Sequence, residues 1–81
     1  MVISIEFIGA QRVIARKDKI SMPITENTKA GNALDFVKSN YPELSLQEEL
    51  IIITINHEAA PPDRFLKAND TLCFIPCIGG G

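Results

Sequence analysis

The residues best suited to chemistry lie at the end of the sequence. Three of its five glycines, Gly79, Gly80 and Gly81, come last, directly after Cys77 and Ile78. Glycine has no side chain and keeps the backbone mobile, so such a tail can enter a channel too narrow for other residues. Extended at ~3.3 Å per residue, the tail reaches about 16 Å beyond a folded domain. Its carboxylate could be activated as a mixed anhydride in another protein's active site, although a frayed terminus is the alternative.

Two thiols, Cys73 and Cys77, precede the glycines. If one strand carried both, they would lie about 13 Å apart, whereas the Cα atoms of a disulfide lie ~4.4–6.8 Å apart. We therefore expect neither a disulfide nor a metal site. Cys73 is predicted to be a small residue of the core or sheet, and Cys77 an exposed residue of the tail. A reactive role for Cys77 is the alternative reading.

The remaining side chains do not form a conventional catalytic set. The single histidine, His57, falls in a predicted turn, which indicates a surface residue. The sequence motifs of phosphate-binding loops, zinc hydrolases and serine hydrolases are missing. We therefore expect a chain that is not catalytic by itself.

Charge restricts the classes of partner. The net charge is −2 and the pI is about 5.2, which argues against a broad surface for nucleic acid. Basic side chains nevertheless gather locally, at Arg12, Arg16, Lys17 and Lys19. They form either a solvated face or a patch complementary to an acidic partner.

Length and hydropathy indicate one small domain. The chain has 81 residues, of which 46% are hydrophobic, enough for a modest core. Its longest apolar run, residues 50–53, is far shorter than the ~20 residues of a membrane span. The first residues, MVISIEF, include an acid where a signal peptide needs a basic region. We expect a cytoplasmic protein with no membrane contact.

The first half of the chain contains two period-2 segments followed by a helical one. Residues 3–7 and 20–24 alternate apolar with other side chains, as strands do, and Pro23 indicates that the second strand either lies at an edge or ends there. Residues 10–17 fit either a helical turn or a strand. Residues 29–40 have helical spacing, with N-caps available at residues 25–28 and Pro42 beyond the end.

The second half contains strands only. The isoleucine-rich residues 50–55 predict a central strand covered on both faces. Residues 65–66 predict a short edge strand, and residues 71–75 a last strand that Pro76 ends. The order predicts an α+β fold, a mixed four- to five-stranded sheet with one main helix on one face. Residues 1–76 would form this domain, and residues 77–81 a flexible tail.

The last third of the sequence, ITINHEAAPPDRFLKANDTLCFIPCIGGG, resembles the small sulfur-carrier proteins of the ubiquitin-like β-grasp fold. Those proteins share a V/I-N turn, a G-D turn, a last strand ended by proline, and a terminal Gly-Gly. The counterparts here are Ile55–Asn56, Asn69–Asp70, Leu72–Pro76 and Gly80–Gly81. The resemblance extends to the MVISIEF strand and to a helix that ends in NYPEL.

The length and the helix end look more like the small subunit of molybdopterin synthase than like the thiamine sulfur carrier. The resemblance then implies that an E1-like adenylyltransferase uses ATP to activate the Gly81 carboxylate. A sulfur donor enzyme supplies the sulfur of a thiocarboxylate, and the tail enters the large subunit of the synthase. The chain itself would bind no cofactor.

The same resemblance suggests roles for other residues near the tail. Cys77, Ile78, Gly79 and Gly80 would form the segment that a partner binds. Three apolar residues are candidates for a docking surface, with a place in the core as the alternative for each: Phe7, Phe74 and Ile75.

Other functions share the tail chemistry. The sulfur could serve the thiamine thiazole, a tungsten cofactor, cysteine synthesis or tRNA thiolation. A ubiquitin-like protein modifier would transfer the activated glycine to a lysine, and an interaction module would have an inert tail. Cys77, Ile78, Asn69 and His57 depart from the residues common in the sulfur carriers.

Overall fold

The computed structural model describes residues 1–77, which form five β-strands, two α-helices and two short 3₁₀ turns. The predicted tail residues Ile78, Gly79, Gly80 and Gly81 lie outside the described residues. No helix of the described part combines the length and the apolar character that crossing a bilayer requires. In chain order the elements are β1 (Val2–Glu6), α1 (Ala10–Ala15), β2 (Lys19–Pro23), α2 (Ala30–Asn40), the 3₁₀ turns Pro42–Leu44 and Glu48–Leu50, β3 (Ile51–Ile55), β4 (Glu58–Ala59) and β5 (Thr71–Pro76).

The strands form one mixed sheet in the order β2-β1-β5-β3-β4. The first and last strands, β1 and β5, pair in parallel, with Ile5 opposite Leu72. The other neighbouring strands are antiparallel. The predicted mixed sheet with one main helix is therefore confirmed, and β5 occupies its centre.

The main helix, α2, packs on one face of this sheet. Its buried residues Ala30, Ala33, Leu34 and Val37 recur at the predicted helical spacing. The helix begins one residue later than predicted, because the Lys29 backbone N–H donates to Asn32 Oδ1 at 2.8 Å, in place of a cap from residues 25–28. The sheet contributes the other large core side chains, notably Ile3, Ile5, Ile53, Ile55, Leu72 and Phe74.

The isoleucine run of β3 is buried on one face and partly exposed on the other. The strand lies inside the sheet, between β5 and β4, as expected. The expectation that both of its faces are covered is wrong at Ile52, which is 43% exposed, although Thr54 on the same face is buried. Successive residues of a strand point to opposite faces, so Ile53 and Ile55 reach the core while Ile52 points away from α2.

The short edge strand also lies elsewhere than predicted. Asn56 and His57 both have positive φ, 53° and 73°, as in the two-residue turns of tight hairpins. The chain therefore returns at once along β3 and forms β4 at Glu58–Ala59. Phe65 makes only a single bridge with Lys29, and residues 65–66 form no strand.

The ambiguous residues 10–17 include a helix. After α1 the chain reverses at Arg16, whose φ of 61° is left-handed, and enters β2. β2 is an edge strand and Pro23 is its last residue, so both of the alternatives predicted from this proline hold. α1 therefore belongs to the connection from β1 to β2, and its Gln11 contacts Phe74 near the end of β5 that leads to the tail.

Candidate functional site

The candidate site is the end of β5, where the central strand leaves the core. Leu72, Cys73 and Phe74 are buried, whereas Ile75, Pro76 and Cys77 are exposed. The Cys77 backbone N–H donates to the Leu50 carbonyl at 2.7 Å, which extends the antiparallel pairing one residue beyond the strand. The chain thus passes from the middle of the sheet to the surface, with its direction held up to Cys77.

A buried glutamine secures the other side of this strand end. β1 pairs with β5 only as far as Glu6 opposite Cys73. Beyond that point Gln11 of α1 takes over: its Nε2 donates to the Phe74 carbonyl at 2.8 Å and its Oε1 accepts from the Ile8 N–H at 3.1 Å. Gln11 thus links β5 to the loop after β1 and replaces the missing strand partner.

Sequence reasoning missed Gln11. The available signal was its spacing of four from Ala15, which places both residues on the same face of α1. Both side chains are indeed buried. A glutamine on the buried face of a short helix requires hydrogen-bond partners, because an unpaired amide in the core costs free energy.

The predicted docking residues separate into two groups. Phe7 and Phe74 are only 3% and 0% exposed, so the expectation that they line a docking surface is corrected. Both belong to the core, and the Phe7 ring packs edge-on against Tyr41 at 5.4 Å between centroids. Alternation along a strand explains their place, because Phe74 follows Leu72 by two residues and shares its inward face.

Ile75 points to the opposite face of the sheet and is 38% exposed. It lies directly opposite Ile52 of β3, so two partly exposed isoleucines are adjacent on the face away from α2. Ile52 was not among the predicted residues, although its place in the alternation of residues 51–55 could have revealed it. We call Ile52 and Ile75 the isoleucine pair.

An apolar groove of about 300 Å³ lies on the other side of the strand end. It runs between α1 and the segment that leads into β3, and Pro76 and Cys77 line it. Ile14 and Leu50, which also line it, are 44% and 50% exposed. The base of the predicted tail is therefore flanked by apolar surface.

The two cysteines differ as predicted. Cys73 is buried and Cys77 is exposed, and both are free thiols. Burial, together with the nearby Glu6 charge, raises the pKa of the Cys73 thiol. Its Sγ lies 3.8 Å from Glu6 Oε1, as donor to that carboxylate. Burial and the neighbouring carboxylate therefore favour the protonated form of the Cys73 thiol.

Two further expectations concern the described surface. His57 is exposed in the β3–β4 turn, as predicted. Within residues 1–77 no three His, Cys, Asp or Glu side chains are grouped so that they could hold a metal ion. The arrangement supplied by these residues is a firmly held strand end with apolar surroundings.

Comparison of the sequence with known proteins finds a matching family and a relative. The ThiS family model matches residues 5–81. The molybdopterin synthase sulfur carrier subunit of Dictyostelium discoideum is 31% identical over 64 residues, which cover 76% of this chain and 73% of that protein.

Solved structures show the fold. The crystal structure of SAMP1 from Haloferax volcanii superposes with a TM-score of 0.82 at 20% identity, over 100% of both chains. The complex of subunits 1 and 2 of the molybdopterin-converting factor from Helicobacter pylori contains a chain similar to this one, with a TM-score of 0.66 at 17% identity and full coverage of both. The fold is thus the ubiquitin-like β-grasp. The chain belongs to the ThiS family and is a homologue of the molybdopterin synthase sulfur carrier subunit.

Proposed function

We propose that this sulfur carrier receives its sulfur as a thiocarboxylate on Gly81 and donates it in molybdopterin biosynthesis, as the small subunit of molybdopterin synthase. The observation that carries the proposal is the end of β5, where the central strand brings the chain out of the core four residues before the glycines Gly79 to Gly81 begin. Family membership supports the carrier role, and the Dictyostelium relative supports the choice of pathway.

The chemistry requires three partners. An E1-like adenylyltransferase uses ATP to join the Gly81 carboxylate to AMP, with release of pyrophosphate. Sulfur at the sulfide level, supplied by a donor enzyme, then attacks the adenylate, releases AMP and leaves the thiocarboxylate. In the large subunit of the synthase, the thiocarboxylate sulfur bonds to the molybdopterin precursor, and water then cleaves the bond between that sulfur and the Gly81 carbonyl carbon. The sulfur stays on the precursor and the oxygen of water restores the carboxylate.

The described residues have two roles in this proposal. Gln11 and Leu50 hold β5 from both sides, so the tail begins from a fixed point. The isoleucine pair offers apolar surface next to that point, and burying it against a partner favours association. Cys77, Ile78, Gly79 and Gly80 connect this surface to Gly81 and would lie in the partner's channel.

The test of carrier chemistry is mass spectrometry of the intact protein. The chain is incubated with its E1-like enzyme, ATP and a sulfur donor, and we expect the mass change of one oxygen replaced by sulfur. Deletion of Gly79, Gly80 and Gly81 together, which leaves no terminal Gly-Gly, should abolish this change but leave thermal unfolding unaltered, because the described hydrogen bonds that hold the end of β5 reach no further than Cys77. Lysine-linked adducts in place of the sulfur exchange would instead identify a protein modifier.

The test of pathway uses the thiocarboxylated chain and the large subunit. We expect molybdopterin to form from its sulfur-free precursor. Sulfur transfer to a thiazole synthase but not to the large subunit would refute the pathway and leave the carrier chemistry intact.

The docking role has a matched control on the same sheet. Ile75→Asp should slow adenylation or sulfur transfer, since a carboxylate replaces apolar surface at the interface. Val2→Asp is the control, because Val2 is 50% exposed but lies at the opposite end of the sheet, beside the start of β5. Equal effects of the two variants would contradict docking at the isoleucine pair.

A further inference from the structure

The outer side of β2 is a sheet edge with hydrogen-bonding groups directed outward. The Phe7 N–H donates to the Asp18 carbonyl and the Ile24 N–H donates to the Met1 carbonyl, both at 2.8 Å. Hydrogen-bonding direction alternates along an antiparallel strand, so the N–H and C=O groups of Lys19 and Ser21 point away from β1. No strand of residues 1–77 pairs with this side of β2.

The opposite edge of the sheet is a poorer template for another strand. β4 has only two residues, Glu58 and Ala59, and Pro61 and Pro62 follow closely. Proline has no N–H to donate and disfavours further pairing. β2 has five residues, and only its last, Pro23, lacks an N–H.

A groove of about 280 Å³ adjoins the β2 edge. It lies between β2 and the C-terminal end of α2, and its apolar lining consists of Ile20, Phe36 and Tyr41. These three side chains are half-buried, so part of each faces solvent in the free protein. A side chain from an added strand could cover that exposed apolar area.

The groove also has a definite charge. Lys17 and Lys19 line it and are exposed, and Arg12 and Arg16 precede them in the sequence. Only Asp18 is acidic within this stretch, although the whole chain carries a net charge of −2. This local excess of positive charge selects an acidic ligand and disfavours a basic one.

We propose that the β2 edge and its groove bind an extended acidic segment of a partner protein by strand addition. The segment pairs with the outward groups of Lys19 and Ser21, places an apolar side chain against Phe36 and Tyr41, and carries Asp or Glu beside Lys17. β1 separates β2 from β5, so the segment leaves the tail accessible. The inference is independent of the sulfur chemistry.

Protection against edge-to-edge aggregation is another explanation for the residue types found in β2. Lysine and proline on an edge strand discourage pairing with other chains, and Lys19 and Pro23 fit that role. Protection alone, however, would give no selectivity for acidic extended peptides. The two explanations therefore predict different binding behaviour.

The experiment selects, from a displayed library of random 12-residue peptides, those peptides that bind to the full chain. We expect enriched peptides to combine a run of β-branched residues with neighbouring Asp or Glu. Amide hydrogen exchange measured by NMR should then show slower exchange of the Lys19 and Ser21 N–H groups when a selected peptide is bound.

Two variants separate the backbone and charge contributions. Ser21→Pro removes one outward N–H and leaves the hydrogen bonds to β1 in place, as Pro23 already does two residues later. Lys17→Glu reverses a charge at the groove. Each should weaken a selected peptide about tenfold, the effect of losing one hydrogen bond or one favourable charge contact. Lys67→Glu, at an exposed lysine outside this groove, is the control and should change affinity less than twofold.

Several results would overturn the inference. These are no enriched peptide, enrichment of basic peptides, unchanged exchange at Lys19 and Ser21, or Lys17→Glu binding as tightly as the parent chain. The exchange measurement and Lys17→Glu keep the test decisive even if Ser21→Pro fails to fold.

Discussion

Replacing Gln11 by Met tests whether the end of β5 is held by one side chain. Methionine has nearly the same length and is compatible with a helix, but it cannot donate to the Phe74 carbonyl or accept strongly from the Ile8 N–H. The variant therefore removes two hydrogen bonds at a residue that is only 7% exposed.

The expected loss of stability follows from the Phe74 carbonyl, which is left without its hydrogen-bond donor. A buried carbonyl deprived of its donor costs about 1–3 kcal/mol, and the better burial of methionine offsets part of this cost. We expect the free energy of unfolding to fall by about 2 kcal/mol. In a domain of this size the melting temperature would then fall by roughly 8–16 °C.

Urea unfolding followed by circular dichroism measures this loss, with Gln47→Met as the matched control. Gln47 is the other glutamine of the chain and is exposed, so its variant should unfold within about 0.5 kcal/mol of the parent. If Gln11→Met also stayed within that range, the side chain would not hold β5 and the reasoning would fail.

Gln11→Glu adds a pH dependence to the same test. An ionised carboxylate would face the Phe74 carbonyl without a proton to share, so the folded state favours the protonated form and raises the pKa of the introduced group. The variant should be less stable than Gln11→Met at pH 7. It should recover as the pH falls through that raised pKa toward the ordinary value of about 4.3.

Three further predictions concern the β3–β4 turn and the thiols. His57→Gly should raise the free energy of unfolding, measured in urea, by about 0.5–1 kcal/mol. The left-handed φ of 73° costs a residue with a side chain ~1–2 kcal/mol, and the greater entropy of glycine in the unfolded state offsets part of the gain. A less stable variant would show that this φ does not strain His57. A thiol-alkylating reagent should label the folded protein once, at Cys77, and label Cys73 only in urea; prompt double labelling would show that Cys73 is accessible. Because the folded state raises the pKa of the Cys73 thiol, the unfolded chain loses this proton at a lower pH than the folded chain does. The free energy of unfolding should therefore decrease as the pH rises through the ordinary range of a thiol, and Cys73→Ala should make this decrease smaller.

Local sequence patterns predicted much of the fold. Alternation located β1 and β2, and helical spacing located α2, because each of these elements buries one face against the same core. The turn at Asn69–Asp70 and the proline at Pro76 located β5. The two turn motifs of the sequence, Ile55–Asn56 and Asn69–Asp70, are also explained by contacts in the structure. Asn56 donates from Nδ2 to Asp70 and accepts the Thr71 N–H, each at 3.0 Å, so the two turns hold each other and fix the start of β5.

Features that depend on distant parts of the chain were not predictable in this way. The role of Gln11 depends on Phe74, which lies 63 residues away and presents its carbonyl where β1 has ended. The exposure of Ile52 depends on the lack of a second helix layer among residues 1–77, and three consecutive isoleucines do not reveal this. The position of Phe7 and Phe74 in the core follows from strand alternation once the inward face is known.

The parallel pairing of β1 and β5 has a consequence for synthesis on the ribosome. Glu6 and Cys73 are paired across a separation of 67 residues, so the middle strand of the sheet is made after the other four strands. Without β5 the sheet would consist of two separate pairs, β2 with β1 and β3 with β4. A chain that ends before β5 therefore cannot complete its core. Folding is completed only after β5 has emerged from the ribosome. Chains without β5 would be degraded by proteases, so the chains that escape proteolysis are those that contain the strand leading to the tail.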